Sequence, residues 1–328
     1  MIILGIETSC DETSASIVRD GCEVLSNVVA TSLKDHQKFG GIIPEIASRR
    51  QLEYIQIVVA EALKTAGVSL PDLDAVAVTG KPGLIGSLLV GISFANALSF
   101  ALKKPLIPVN HIHAHLYANY LVERGSPSPK KIFKNLSLPA VGLVVSGGHS
   151  SLFYLKDFRS FRVIGETRDD AAGEAYDKVA RILDLGYPGG PVIDRLARSV
   201  EKGALKFGCA TLPGTPDFSF SGIKTAVLYY TQKHGQDKDF SKARVARAFQ
   251  DGVVDVLVEK AFDVCRARKA KTLLIGGGVA ANSVLRERLL ARAQKEGVRV
   301  NVPSLAFCMD NAAMVAGFAY QIRSAVHI

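Results

Sequence analysis

At 328 residues, 48% of them apolar, the chain can bury a large core and its length favours two domains over one, which excludes a disordered or fibrous protein. Its 40 Lys and Arg against 31 Asp and Glu leave a formal charge of +9, which fits a polyanionic partner of a kind that charge alone cannot name. Five scattered cysteines, Cys10, Cys22, Cys209, Cys265 and Cys308, never form a CxxC pair, so neither a cysteine zinc site nor a disulfide framework is suggested and a reducing compartment fits best.

Residues 2–7 read as a buried strand, 7–13 as a polar turn and 14–18 as a returning strand, so the chain opens strand-turn-strand. The start MIILGIE is too short and lacks the basic flank of a secretion signal. A third strand covers 22–29. Pro44 then opens a long helical pattern to about Ala66, with Gly67 where a helix would end. A strand at 74–78, a tight turn at 80–83 and a helix at 85–102 follow. No run reaches about eighteen uninterrupted apolar residues, so a soluble, cytoplasmic protein with no membrane partner is expected. A short strand at 106–109 leads into a helix carrying His111 and His115. The Pro-, Gly- and Lys-rich segment 124–139 is the expected linker between a first lobe, 1–123, and a second, 140–309, with 310–328 returning to the first. The opening pattern recurs there: a buried strand at 140–145, a glycine turn at 146–149 and a returning strand at 150–155. Helices are predicted over 171–183, 191–202, 223–232 and 242–268. A strand at 272–275 runs into Gly276-Gly277-Gly278, followed by helices from Asn282 to Gln294 and from Asp310 onward.

Two strand-turn-strand units with polar or glycine turns suit phosphate binding, because turn amides without side chains are open donors. The first turn adds the carboxylates of Asp11 and Glu12, which would repel phosphate unless they orient a metal, a water or an attacking amine; it reads equally as an ordinary polar hairpin. The segment from Gly276 to Asn282 closes a strand and opens a helix, so it suits a base or ribose, or simply a capped helix. The pattern is not GxGxxG and lacks a βαβ opening, which disfavours a dinucleotide-binding dehydrogenase.

His111 and His115 share one helix face, about 5–6 Å apart at Cβ, a spacing for two imidazoles on one ion. Asp310 can complete a two-histidine, one-carboxylate set, or serve as a helix N-cap. Ile112 stands where an HExxH protease needs its glutamate, which argues against proteolysis. The stretch 169–178 holds several carboxylates and Lys178, and the turn 187–191 leads into a helix bearing Asp194, a site for hydroxyl groups. Basic clusters at Lys103-Lys104, Lys130-Lys131-Lys134 and 266–271 fit a polyanionic partner together, while each taken singly reads first as a solvated face.

The segments LGIETSCDET, GGIIPEIASR, KPGLIGSLLVG, VSGGHS, DDAAGEAYDK, YPGGP, DFSFSGIKT, GGGVAAN and MDNAAM, in this order over nearly the whole chain, resemble the bacterial TsaD family, formerly called glycoprotease. The resemblance implies an α/β, actin-like (ASKHA, ribonuclease H-like) duplicated two-lobe fold. It implies transfer of a threonylcarbamoyl group from threonylcarbamoyl-AMP to the exocyclic amine of adenosine 37 in tRNAs reading codons that begin with A. Carried over by motif, His111, His115 and Asp310 would bind Fe²⁺ or Zn²⁺. Val144, Val145, Ser146, Gly147, Gly148, Asp177, Gly190, Asp194 and Asn282 would hold the adenylate or ATP/ADP, and Asp11 and Glu12 would lie nearest the chemistry. Implied partners are tRNA, the paralogue TsaB, the ATPase TsaE and a TsaC-type synthase that supplies the adenylate. Three features depart from the family pattern: His113 where a glutamate is expected, Lys81 before Pro82-Gly83, and the absence of a basic tail beyond Ile328. A kinase on the same fold, or a non-catalytic scaffold, is the competing reading; the two histidines and Asp310 argue against both.

Overall fold

The computed structural model describes residues 1–126, 137–210 and 212–323, so most of the expected linker and its lysines, Lys130, Lys131 and Lys134, lie outside the described residues. The chain divides into two compact units, Met1–Ser137 with Pro303–Ile328, and Leu138–Val302.

The first unit is built on a six-stranded sheet of β1 (Ile2–Glu7), β2 (Glu12–Arg19), β3 (Glu23–Thr31), β4 (Ala75–Lys81), β5 (Leu106–Asn110) and β6 (Val122–Glu123), in the order β5-β4-β1-β2-β3-β6. β1, β2 and β3 are antiparallel neighbours, while β4 and β5 run parallel to β1. Parallel strands need crossover helices, and these cover the sheet, which is why β1 is apolar at nearly every position rather than alternating. The crossover between β3 and β4 contains α1 (Leu33–Gln37) and α2 (Pro44–Ala66); that between β4 and β5 is α3 (Ile85–Leu102), and β5 leads directly into α4 (His111–Tyr117). Pro44 stands in the first turn of α2, and Gly67 ends it in the left-handed conformation at φ 68° that a side chain disfavours.

Ile55, Val58, Val59 and Ala62 of α2 and Val90 and Ala95 of α3 pack with Leu4, Ile6, Ile17 and Val78 of the sheet into one buried cluster. α3 has a mean hydropathy of 1.8 over 18 residues and passes the length and composition test for a membrane span. The expectation of no such run holds only for uninterrupted apolar residues, because Ser87, Ser93, Asn96 and Ser99 break this one.

The second unit repeats the order with β7 (Ala140–Val145), β8 (Ser150–Asp157), β9 (Ser160–Glu166), β10 (Thr272–Gly276) and β11 (Arg299–Asn301), arranged β11-β10-β7-β8-β9. Its helices are α5 (Ala172–Ile182), α6 (Gly189–Arg198), α7 (Ser221–His234), α8 (Lys242–Arg268) and α9 (Ser283–Glu296). The helix expected over 191–202 therefore begins two residues earlier and stops at Arg198. Sequence reading missed α1, β6, β9 and β11.

The last helix, α10 (Ala312–Ile322), returns to the first unit and is buried from Ala312 to Ala319, as expected for a helix apolar all round. It crosses β1 so closely that a Cβ at Gly5 would lie 2.3 Å from the Ala312 carbonyl oxygen. It does not start at Asp310: Asn311 is the N-cap, accepting from the Met314 amide at 3.1 Å, which releases the Asp310 carboxylate from capping.

Candidate active site

In the first unit, the turn 8–12 between β1 and β2 is held by its own carbonyl oxygens, every one of which accepts a hydrogen bond. The buried Gln51 amide of α2 donates to the Thr8, Cys10 and Glu12 carbonyls at 3.0 to 3.3 Å. The Leu84 amide donates to Ser9 at 2.8 Å, Ser87 Oγ of α3 to Cys10 at 3.2 Å and Ser32 Oγ to Asp11 at 2.8 Å. A turn with this many partners presents its side chains from a fixed backbone. Asp11 is buried and Glu12 partly so. Burial, the Asp310 and Asp11 charges and a hydrogen bond with Asp11 push the Glu12 carboxyl well above its ordinary range. Burial and the same three carboxylates also push the Cys10 thiol up, which makes it a poor nucleophile.

Close to that turn, α4 places His111 and His115 with ring centroids 4.6 Å apart and nearly perpendicular planes. Asn110 caps the helix by accepting from the His113 amide. Nε2 of His115 lies 3.0 Å from Asp310 Oδ1, and Nε2 of His111 lies 3.5 Å from the same oxygen. The ligand atoms of the three residues fall within 4.8 Å of one another. Two donors each about 2 Å from one ion stand roughly 3–3.4 Å apart, so the set fits a divalent cation with little movement. Nδ1 of His115 is buried without a hydrogen-bond partner among the described residues, so this ring recovers its burial cost at Nε2.

Burial alone would lower the His111 pKa, but the Asp310 and Glu7 carboxylates outweigh it and raise it to about 9. A cation entering the site displaces that proton. Glu7 feels the reverse balance: burial raises its carboxyl, and the His111 imidazole more than offsets this. His113 is different, held down to about 4 by burial and by the nearby Lys81 charge, and its ring stacks edge-on against Phe318. It is neutral at physiological pH and stands apart from the two-histidine pair.

In the second unit, β7 pairs with β10, bringing Val144 beside Gly276. The turn 146–149 is closed by the Ser146 amide on the His149 carbonyl at 2.8 Å. Val144 and Val145 are fully buried strand residues, so they shape the site through their backbone, whereas Gly147 and Gly148 are exposed and a Cβ at either would meet nothing within 4 Å. Gly277 adopts φ 90°, and a Cβ there would lie 2.3 Å from the Val145 carbonyl oxygen, so the two glycine segments meet backbone to backbone.

Asn282 caps α9 through Oδ1, on the Leu285 amide at 2.9 Å, and donates through Nδ2 to Gln250 Oε1 at 2.8 Å. Gln250 in turn donates to Asp194 at 3.2 Å, and Asp194 also accepts from Ser283 Oγ at 2.9 Å. Asp177 accepts from the Gly189 amide at 2.7 Å, next to the unobstructed Gly190, and burial raises its carboxyl. Asp194 and Asn282 are thus linked through Gln250.

Sequence reasoning missed Gln250, Gln51, Ser87 and Glu7; a single acid closing the apolar strand IILGIE was the one available signal. Lys224 is held by Asp170 at 2.8 Å, and Arg266 by Glu296 and Asp263, so these basic groups already have acidic partners. None of the five cysteines is paired in a disulfide.

The family model for TsaD, tRNA N6-adenosine threonylcarbamoyltransferase, matches residues 23–317. A protein of that name from Clostridium perfringens (strain ATCC 13124) is 51% identical over 321 residues, covering 97% of this chain and 92% of its own. One from Clostridium botulinum (strain Hall) is 50% identical over 320 residues, covering 97% and 91%. Among solved structures, component A of the (R)-2-hydroxyglutaryl-CoA dehydratase of Acidaminococcus fermentans superposes with a TM-score of 0.57 at 16% identity, covering 99% of this chain and 100% of that one. Full-length HypF gives 0.62 at 14%, covering 100% and 56%. These two distant likenesses establish an actin-like α/β fold and nothing about activity. The two closer relatives and the family model carry more, and by them the chain belongs to the TsaD family of tRNA N6-adenosine threonylcarbamoyltransferases.

Proposed function

We propose that this protein transfers the threonylcarbamoyl group of threonylcarbamoyl-AMP to the exocyclic amine of tRNA adenosine 37, beside the anticodon in tRNAs reading codons that begin with A, with release of AMP. The observation that carries this reading is the convergence of His111, His115 and Asp310 within 4.8 Å in a chain of this family. A bound Fe²⁺ or Zn²⁺ would polarise the carbamoyl carbonyl, a task that imidazole and carboxylate ligands with open positions suit.

The second unit's share is the adenylate. Exposed Gly147 and Gly148, with the backbone of Val144, Val145 and Ser146, suit phosphate oxygens. Asp177, Gly190, Asp194 and Asn282 suit the nucleoside, and ATP or ADP would fit the same donors. The first unit's share is proton handling. Asp11, buried on the clamped turn, is the candidate acceptor for the proton leaving the adenosine amine. That amine is a weak nucleophile, and positioning by the clamped turn contributes more than base strength.

The outward faces of α2 and α3 are the proposed surface for TsaB: Leu52, Ile57, Ile85, Leu89 and Phe100 are each more than half exposed, an apolar stripe that water disfavours. TsaE and a TsaC-type synthase complete the proposed set, in the cytoplasm, and basic clusters such as Lys103-Lys104 would meet tRNA phosphates.

The test is transfer of radiolabelled threonine from threonylcarbamoyl-AMP to unmodified tRNA with purified partners, against a His111→Ala/His115→Ala control. Label that depends on both histidines supports the reading. Absence of label, with partners shown competent on a related enzyme, overturns it and favours a kinase or a scaffold on the same fold.

A further inference from the structure

β1 is apolar until its last residue, Glu7, which is wholly buried. A carboxylate there is unfavourable unless it is fully hydrogen-bonded, and the fold surrounds it with three donors. The Ser9 amide donates to Oε1 at 2.5 Å and Thr79 Oγ1 to Oε2 at 2.6 Å. Nδ1 of His111 lies 2.9 Å from the same Oε2. Thr79 arrives because β4 lies parallel to β1, with Val78 opposite Ile6. The Ser9 amide can only donate, and the Thr79 hydroxyl directed at Oε2 leaves that oxygen as an acceptor. Glu7 therefore takes hydrogen bonds and gives none, so the third, to His111, must come from a proton on Nδ1.

A neutral imidazole carries one ring proton. With that proton on Nδ1, the Nε2 lone pair points toward Asp310 Oδ1, 3.5 Å away, on the side where Nε2 of His115 also lies. With the proton on Nε2 instead, Nδ1 would set its lone pair against a carboxylate oxygen while Nε2 turned a hydrogen into the donor set. Ser9 Oγ, 3.1 Å from Nδ1, is a second acceptor for the same proton.

We propose that Glu7, held by Thr79 and the Ser9 amide, is the positioning residue of the metal centre, fixing the His111 ring and its tautomer so that Nε2 faces the cation. The inference rests on the metal reading above. His115 has no such partner at Nδ1 among the described residues, so His111 is the pre-oriented ligand of the two.

Zinc titration of the metal-free protein against a chromophoric competitor tests this. Glu7→Gln keeps the volume but offers an NH₂ group to donors that already fill the site. Zinc affinity is expected to fall about 10- to 100-fold in this variant, and by a smaller factor in Thr79→Val. On the wild-type protein, ¹⁵N spectra of the zinc-loaded His111 ring should show Nδ1 protonated and Nε2 bound, a signature that a merely structural role of Glu7 would not set. Wild-type zinc affinity in a folded Glu7→Gln protein, or zinc on Nδ1 in the spectra, overturns the inference. Should Glu7→Gln fail to fold, Thr79→Val and the spectra decide by the same criteria. A wild-type protein that takes up no zinc through His111 and His115 removes the metal reading, and this inference with it. Uptake by wild type and Glu7→Gln alike removes the inference alone.

Discussion

The turn at 8–12 in the first unit and the turn at 146–149 in the second join equivalent antiparallel strands of two sheets with the same strand order, yet they are built in opposite ways. The first is filled: five successive carbonyls are held by Gln51, Leu84, Ser87 and Ser32, and a Cβ at Gly91 of α3 would come within 2.2 Å of Thr8 Oγ1. The second is bare, with Gly147 and Gly148 facing open space. One frame thus supports two uses. On the proposed function, the packed turn would hold side chains for chemistry and the bare one would let a ligand approach backbone.

Four substitutions break or sharpen this contrast. The largest effect is expected from His111→Ala/His115→Ala, which removes the donors beside the filled turn: bound metal should disappear from elemental analysis and transfer should fall by more than about 100-fold. Next is Gly91→Ala, where the new methyl meets Thr8 and its helix cannot retreat without moving its packing; a loss of about 1–3 kcal/mol in a denaturant melt is expected. Gly148→Ala is its counterpart. Stability should stay within about 0.5 kcal/mol because nothing is struck, while adenylate affinity by calorimetry should drop about tenfold or more if backbone there meets phosphate.

The smallest effect belongs to Asp170, where burial raises the carboxyl but Lys178 and Lys224 outweigh it and leave it lowered. Its contribution is present above the ordinary aspartate pKa and is lost as pH falls through the lowered one. Asp170→Asn should therefore reduce stability by about 0.5–1 kcal/mol at neutral pH, and the difference from wild type should vanish in acid melts.

Much of this contrast was legible in the sequence, because it rests on residue types. VSGGHS announces a bare turn and SCDET a polar one, and the spacing of His111 and His115 puts two imidazoles on one face. Pro44 and Gly67 marked the ends of α2 because both act locally. What was hidden depends on distant partners. Glu7 reads as the start of a polar turn until Thr79 and His111 arrive beside it. Asp310 and Asn311 are adjacent residues of equal capping ability, and only tertiary contact with His115 decides that the second takes the cap. β9 escaped because its register shifts against β8 and half its residues face solvent, which blurs its alternation. β11 has three residues, too few for any periodicity.

The carboxylate of the metal set lies 195 residues beyond His115, after the whole of the second unit. During translation both histidines and Glu7 are synthesised early, and the third donor follows about 10–40 s later at ordinary elongation rates. A nascent or prematurely terminated chain carries two-thirds of a cation site and an uncovered β1, because α10 is also missing. On the proposed metal reading, cation capture would wait until synthesis has passed Asp310, because only then are all three donors present.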